Sequence, residues 1–384
     1  MITKAVIAGG GIGALTTALA LQQDGVEVTV LERRRHLADV AGGVGLMVWH
    51  NGTSVLQRLG VGAEIAAVSA EIRAFEFRNW RGAHLMRWDV AGLAERLGSP
   101  TIGINRGDLH AVLLDALKPG TFQLGVECTG YKQDADGVTV TFADGGSERG
   151  DVLIAADGIN SVIRTQLLGP RKPRYAGYTT WRGLADVPEA DAPTDYACKF
   201  WGPGKRFLYY RVGGGQLYWL ALTRAAEGGQ DAPGGRRAAM LEHHRGWHAP
   251  VEAIIEATPE DAIDRHDITD HKPFKTWGSG RVTLLGDAAH AMTPNMGQGA
   301  CQAIEDGLVI AAELGKARDP EQGLRSYEDE RRKRTAYFQS HSRQVGVMGR
   351  WKSPLAVRAR DAMVRAAFKG RVSRMHETEM RTGP

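Results

Sequence analysis

Three times in this chain an apolar run stops at a glycine or an aspartate and a helix-forming segment follows. The runs are residues 6–8 before Gly9, 152–155 before Asp157-Gly158, and 282–285 before Gly286-Asp287. Runs of this kind read as buried parallel strands, and in such sheets ligands bind at the strands' carboxyl ends. The three lie near the start, the middle and the late part of 384 residues, so one domain must collect its strands from separated segments. The expected fold is α/β, with a discontinuous Rossmann-like domain from 1–70, 101–172 and 270–350. Residues 71–100 and 173–269 make a smaller domain, and 351–384 a basic C-terminal helical tail. Between 175 and 223 the segments YAGYTTWRGLADV, DYACKFW, RFLYYRV and QLYWLAL, parted by Pro/Gly turns, read as an antiparallel sheet rich in Tyr and Trp.

The first run opens a dinucleotide fingerprint. Gly9, Gly11 and Ala14 match Gly-x-Gly-x-x-Gly/Ala with Gly13 in the same turn, residues 28–31 form the next strand, and Glu32 ends it. Gly9 permits the tight turn, Gly11 leaves room for a pyrophosphate at the helix N-terminus, and Ala14 lets helix pack on strand. Glu32 can accept hydrogen bonds from ribose hydroxyls, and Arg33 beside it can flank an adenosine.

The third run continues as GDAAHAMTPNMGQGACQAIEDG. Asp287 stands at the carboxyl end of its strand, where it can accept from a ribityl hydroxyl. The loop Pro294 to Gly299, with Gln298 inside it, leads into a helix starting at Ala300, whose free N–H groups and positive dipole end face whatever lies before them. Gly297 and Gly299 let a flat ring approach. With the fingerprint, this points to a flavin site, and so to FAD.

The segment DVLIAADGINSVIRTQLLG, with Asp157, Ser161 and Arg164, resembles the Asp-Gly motif of the class A flavoprotein monooxygenases, the para-hydroxybenzoate hydroxylase family. Gly286-Asp287 resembles that family's second motif, and the likeness spans nearly the whole chain. Within the family the chain is most similar to the small members related to FAD-dependent urate hydroxylase and zeaxanthin epoxidase. The resemblance implies that NADH or NADPH reduces the FAD, that O2 adds to give a C4a-hydroperoxide, and that an aromatic or electron-rich small molecule is hydroxylated or epoxidised. It places the antiparallel sheet over the flavin. Arg206 and Tyr218 then fall at active-site positions, against the plainer readings of a surface arginine in a turn and a core tyrosine. It further implies Arg106 near the ribityl and phosphate region, Gly45 at the flavin edge, mobile Gly42 and Gly43, and Cys128 on the adenine side through its backbone.

One residue departs from the pattern. Asn295 stands where the urate-hydroxylase type carries an aspartate, and an amide cannot serve as a general base. It either hydrogen-bonds a substrate or caps its turn. His290 reads as structural. The Trp-x-Trp-x-Ile-Pro motif of the halogenases sharing this fold is missing, and with no second fingerprint the nicotinamide coenzyme has no Rossmann unit of its own. An NAD-dependent dehydrogenase at the fingerprint would leave the other two motifs unexplained; a non-catalytic redox or nucleotide sensor is the remaining alternative.

Composition bounds the setting. At 43% hydrophobic residues the chain can bury a large core, and no run reaches transmembrane length. The apolar start is broken by glycines and reads as core, not as a signal peptide. Three scattered cysteines fit a reducing cytoplasm and form no metal-binding pattern. Of the net charge of +4, the residues from Arg331 onward contribute fourteen Lys/Arg against three Asp/Glu. From Pro354 onward that basic end is expected to pack as a helix on the acidic FAD domain in preference to a membrane surface, and nothing supports nucleic-acid binding. A monomer or a homodimer is expected.

Overall fold

The computed structural model describes residues 2–41, 44–190, 192, 195–231 and 233–367. Gly42, Gly43 and the tail from 368 onward lie outside the described residues.

A six-stranded sheet is assembled from distant segments. Its order is Gly278–Ser279, Val282–Leu284, Val152–Ala155, Lys4–Ala8, Glu27–Glu32 and Phe122–Leu124, parallel except for the first, antiparallel pair. The three apolar runs thus stand side by side. Their Val, Ile and Leu side chains are buried on both faces, which is why the sequence shows continuous rather than alternating hydrophobicity. Helix Ile12–Gln23 is apolar all round and buried along nearly its whole length, because helices Gly299–Lys316 and Arg106–Asp115 enclose it.

A seven-stranded sheet follows the order Asp264–Asp270, Arg174–Ala185, Leu217–Thr223, Lys205–Arg211, Tyr196–Trp201, Ala74–Asn79 and His84–Asp89. All its pairs are antiparallel except Tyr196–Trp201 with Ala74–Asn79. The side-chain period of two splits the sheet into two cores. Trp181, Phe200, Phe207 and Trp219 pack behind it against helices Arg236–His244 and Val251–Glu256. Tyr178, Tyr210, Tyr218 and Leu220 face the other way and join the main core.

Helix Pro320–Met348 runs along the back of helix Gly299–Lys316, and helix Pro354–Ala367 follows. The last helix corrects the expectation for the basic end. It packs on the seven-stranded sheet beside His84–Asp89, not on the acidic nucleotide-binding side. Arg360, fully buried, donates to Gly202 O at 2.9 Å and lies over the Trp201 ring. No described helix is long and apolar enough to cross a membrane.

Candidate active site

A cavity of about 820 Å3 is lined both by the loops at the carboxyl ends of the parallel strands and by the inner face of the seven-stranded sheet. On the first side stands the turn at Gly9 to Ala14. Gly9 has φ of 101° and packs so tightly that a Cβ there would lie 2.4 Å from Ala156 O. Gly11 opens on the cavity, where an added Cβ would meet nothing within 4 Å. Gly13 lies against Ala303, and Gly13 and Ala14 complete this wall. Behind the turn, Glu32 accepts from the Gly10 N–H at 2.9 Å and the Arg34 N–H at 2.8 Å, and each carboxylate oxygen keeps a lone pair for a ligand. The His110 ring is within hydrogen-bond distance of Gly10 O at 2.8 Å, a brace that sequence reasoning missed.

Several expected cofactor residues stand off the cavity wall. Arg33 is exposed, and Cys128 is half-buried with its thiol pushed up to about 12 by burial and by Asp157, Glu32 and Glu127. Asp157 caps helix Val162–Leu168, accepting from the Val162 N–H at 2.9 Å, while its other oxygen is buried without a partner. Arg164 on that helix donates to Ala288 O at 2.9 Å and ties the second strand motif to the third.

Asp287 lines the cavity, and what its side chain is exposed to is that cavity. No described residue hydrogen-bonds its carboxylate, and the surrounding protein raises its pKa, against the lowering effect of His290, Arg106 and His271. Arg106 also lines the cavity and donates to Val40 O at 2.8 Å, bracing helix Leu37–Ala41. His290 is buried on the far side, paired with Asp306 at 2.6 Å. The loop from Pro294 reaches Gly297 at φ of 65°, beside the unpartnered indole N–H of Trp49, and Gly299 and Ala300 then start the helix at the cavity. Gln298 turns its side chain away, accepting from Asn51 at 3.0 Å and Gln302 at 2.9 Å.

The opposite wall is aromatic. Tyr210 and Tyr218 are cross-strand partners with ring centroids 5.2 Å apart, and no described residue hydrogen-bonds either hydroxyl. Burial raises both phenols, Tyr218 to about 12, so each is a neutral donor near neutral pH. The Tyr218 ring occupies the space a Gly45 Cβ would need, at 2.3 Å, so here the glycine makes room for a tyrosine. Gly45→Val is expected to cost about 1–3 kcal/mol by overpacking. Shifting Tyr218 is further expected to reduce substrate-stimulated turnover about a hundredfold. Thermal melts and steady-state kinetics check both, and wild-type values in each would refute this packing argument.

Asn295 lines the cavity but is the hub of a buried network. Its Oδ1 accepts from Arg206 at 2.5 Å, and its amide nitrogen faces Tyr178 Oη, Thr293 Oγ1 and Ser342 O at 2.7–2.8 Å. Arg206 is buried behind Asn295, over the rings of Tyr178 and Trp201, and is neither a surface residue nor part of the cavity wall. Lys199, which sequence reasoning missed, lines the cavity at 5% exposure and donates to Asn295 O at 3.2 Å. Burial and the neighbouring Arg206 lower its pKa to about 7. The available signal was its place in DYACKFW, a lysine on an otherwise apolar strand at the same parity as Trp201.

An open cradle at Gly11, an unpartnered carboxylate at Asp287, a buried oxygen of Asp157 without a donor and a helix N-terminus at Gly299 together fit a dinucleotide carrying a flat ring. Residues 2–340 match the FAD binding domain family. The chain is 41% identical to the aurachin C monooxygenase/isomerase of Stigmatella aurantiaca, over 96% of this chain and 95% of that protein. It is 38% identical to an FAD-dependent urate hydroxylase of Klebsiella pneumoniae, over 85% of each. The crystal structure of Klebsiella pneumoniae HpxO complexed with FAD and uric acid superposes with a TM-score of 0.93 at 34% identity, covering 100% of this chain and 97% of the other. The α/β architecture read from three strand-ending motifs is theirs too, and the chain belongs to the FAD binding domain family as an FAD-dependent monooxygenase.

Proposed function

We propose that this monooxygenase takes electrons from NADH or NADPH and transfers one atom of O2 to an aromatic or otherwise electron-rich ring held against the Tyr210–Tyr218 wall. The observation that carries the reading is the shared cavity, which brings the open carboxylate of Asp287 and the cradle at Gly11 into the same space as that wall. FAD, when bound, supplies the hydride acceptance and oxygen activation that amino-acid side chains lack. The chain's own residues bind, orient and exclude water. In this reading Glu32 and Arg33 flank the adenosine, Gly9 to Ala14 and Arg106 the phosphates, and Asp157 and Asp287 the polyol, with Cys128 contributing its backbone. Pro294 to Ala300 and Gly45 then border the ring, where N–H groups and the dipole of the helix starting at Gly299 stabilise negative charge on it.

On the substrate side Tyr218 donates a hydrogen bond from a phenol that stays protonated, and Arg206 acts from behind Asn295. With an amide at 295 already engaged by Arg206 and Tyr178, substrate deprotonation at that position is not part of the mechanism, which argues against urate. Residues 1–70, 101–172 and 270–350 serve the cofactor, 71–100 and 173–269 the substrate, and the enzyme works in the cytoplasm.

The test is the absorbance spectrum of the purified protein, followed by NADH and NADPH oxidation in air with phenols, quinolones and purines. Flavin bands, with oxidation accelerated by one compound class and matched by an oxygenated product, are expected. A colourless protein that FAD cannot reconstitute, or oxidation yielding only hydrogen peroxide with every compound, overturns the reading.

A further inference from the structure

Strand alternation puts Lys199 and Trp201 on the cavity face of one strand, and Arg206, the cross-strand partner of Trp201, on the same face of the next. Arg360, from the last helix, covers Trp201 from another direction, so that one indole is contacted by two guanidinium groups, at 5.8 Å and 5.0 Å. Lys199, Arg206 and Arg360 are all buried. Among the described residues one carboxylate is bonded to this group, Asp361, which accepts from Arg360. Every other partner is neutral: Arg206 donates to the Asn295 amide and faces aromatic rings, and Lys199 donates to a backbone carbonyl and stands over Phe77. Among the described residues no carboxylate pairs with Lys199 or Arg206. Two buried guanidinium groups and a buried lysine facing one carboxylate is an arrangement that a fold bears at a cost unless something else supplies negative charge.

Donors also stand over. An ammonium carries three N–H bonds and Lys199 has one acceptor, while the buried indole N–H of Trp201 has none. Lys199 stands over Phe77 and opposite Leu208 on the next strand, so a charge placed there is little screened.

We propose that this end of the cavity is a receptor for an oxyanion carried by an aromatic ring, a phenolate, enolate or ring carboxylate, with Lys199 donating to the charged oxygen. The inference rests on the function proposed above, and it narrows the substrate from electron-rich aromatics to acidic ones. Lys199 then does the reverse of what a carboxylate at position 295 would do: it stabilises a substrate that has already lost its proton. Arg206, off the cavity wall, adds field from behind Asn295, and Arg360 adds it from the wall beside Trp201.

The experiment uses the FAD-loaded full chain and two probes of nearly the same shape, 4-nitrophenol and 4-nitroanisole, followed by flavin difference spectra and by the phenolate band near neutral pH. Wild-type protein is expected to bind 4-nitrophenol as its phenolate, at least about tenfold more tightly than the anisole. Lys199→Met is expected to lose about that factor for the phenol alone, as for a hydrogen bond to a charged group. Lys199→Gln, which can still donate to Asn295 O, is expected to behave like Lys199→Met. If Lys199 only holds the Asn295 loop, Gln restores wild-type binding and Met weakens both probes alike, which overturns the proposal. Failure of the wild-type protein to prefer the phenol, whether it binds both equally or neither, overturns it as well. Absence of bound FAD in the starting protein is read separately and counts against the proposed function.

Discussion

Arg331→Met is expected to destabilise the folded protein by about 3–5 kcal/mol, the loss seen when one partner of a buried ion pair is removed. Arg331 is buried beneath helix Gly299–Lys316, where its guanidinium pairs with Glu305 and, at 2.7 Å, with Asp306, and donates to Gln302 Oε1 at 2.7 Å. Asp306 in turn accepts from the Gly286 N–H at 3.1 Å and holds His290. The network therefore reaches the turn that presents Asp287, and the substitution takes a buried cation from two carboxylates at once, leaving Glu305 with Arg334 and Asp306 with His290. Arg331→Lys keeps the charge but not the fork, and should recover only part of the loss. Urea unfolding of both variants checks this, and an Arg331→Met midpoint within error of wild type would remove the network from the account.

The same group sets the acid limit. Burial pushes the Asp306 carboxyl up, but His290 and Arg331 more than offset it and hold it down at about 2. A depressed carboxyl contributes stability that is complete above its unfolded value, about 3.9, and is lost as pH falls toward the folded one. Wild-type protein should therefore lose stability between about pH 4 and pH 2, and Arg331→Met should begin to lose its remaining Asp306 contribution at higher pH.

Asp287→Ala is expected to weaken FAD about ten- to a hundredfold, the loss of a hydrogen bond to a charged acceptor, and at the same time to raise the melting temperature of the FAD-free protein. The second half follows from the sign of the shift. The folded-state pKa of Asp287 is raised by its surroundings, so its contribution is most favourable below the unfolded value and diminishes as pH rises through the folded one. At neutral pH the ionised carboxylate is a burden on the apoprotein, reduced by cavity water and relieved by a ligand that donates to it. Flavin content after gel filtration and melts of the stripped protein check the two halves. Wild-type retention with an unchanged apoprotein melt would show that Asp287 faces no ligand.

How much of this was open to a reader of the sequence depends on whether the cause is local. The three strands ending at Gly9, Asp157 and Gly286 are each announced by their own residues, and the parallel α/β architecture follows from them. The aromatic sheet was equally legible, because alternation is a local property. What a side chain meets across the fold was not. Gly45 reads as a loop glycine, yet its reason is the Tyr218 ring, 173 positions on. Arg206 could be read as an active-site residue or as a surface arginine in a turn, and only the fold shows it buried among Tyr178, Trp201 and Asn295. Lys199 draws no attention between Cys198 and Phe200 until the fold brings Arg206 and Arg360 beside it with one carboxylate, Asp361, among the three. Arg331 belongs to a run of basic residues that looks solvated, and the two carboxylates it holds lie a helix away.

The sheet order also dictates when the protein can first come into being. Lys4–Ala8 pairs on one side with Glu27–Glu32, made at once, but on the other with Val152–Ala155, which itself pairs with Val282–Leu284. Gly9 leans on Ala156, and the Trp201 end of the cavity is covered by Arg360. A nascent chain therefore carries its fingerprint unfinished until residues 152–155 and 282–284 have been made, and such long-range parallel pairing is slow and exposes apolar edges while it waits. The wait ends only when residues 282–284 and Arg360 have joined the earlier segments, so binding of the cofactor, which stabilises only the finished form, acts as the final step of assembly.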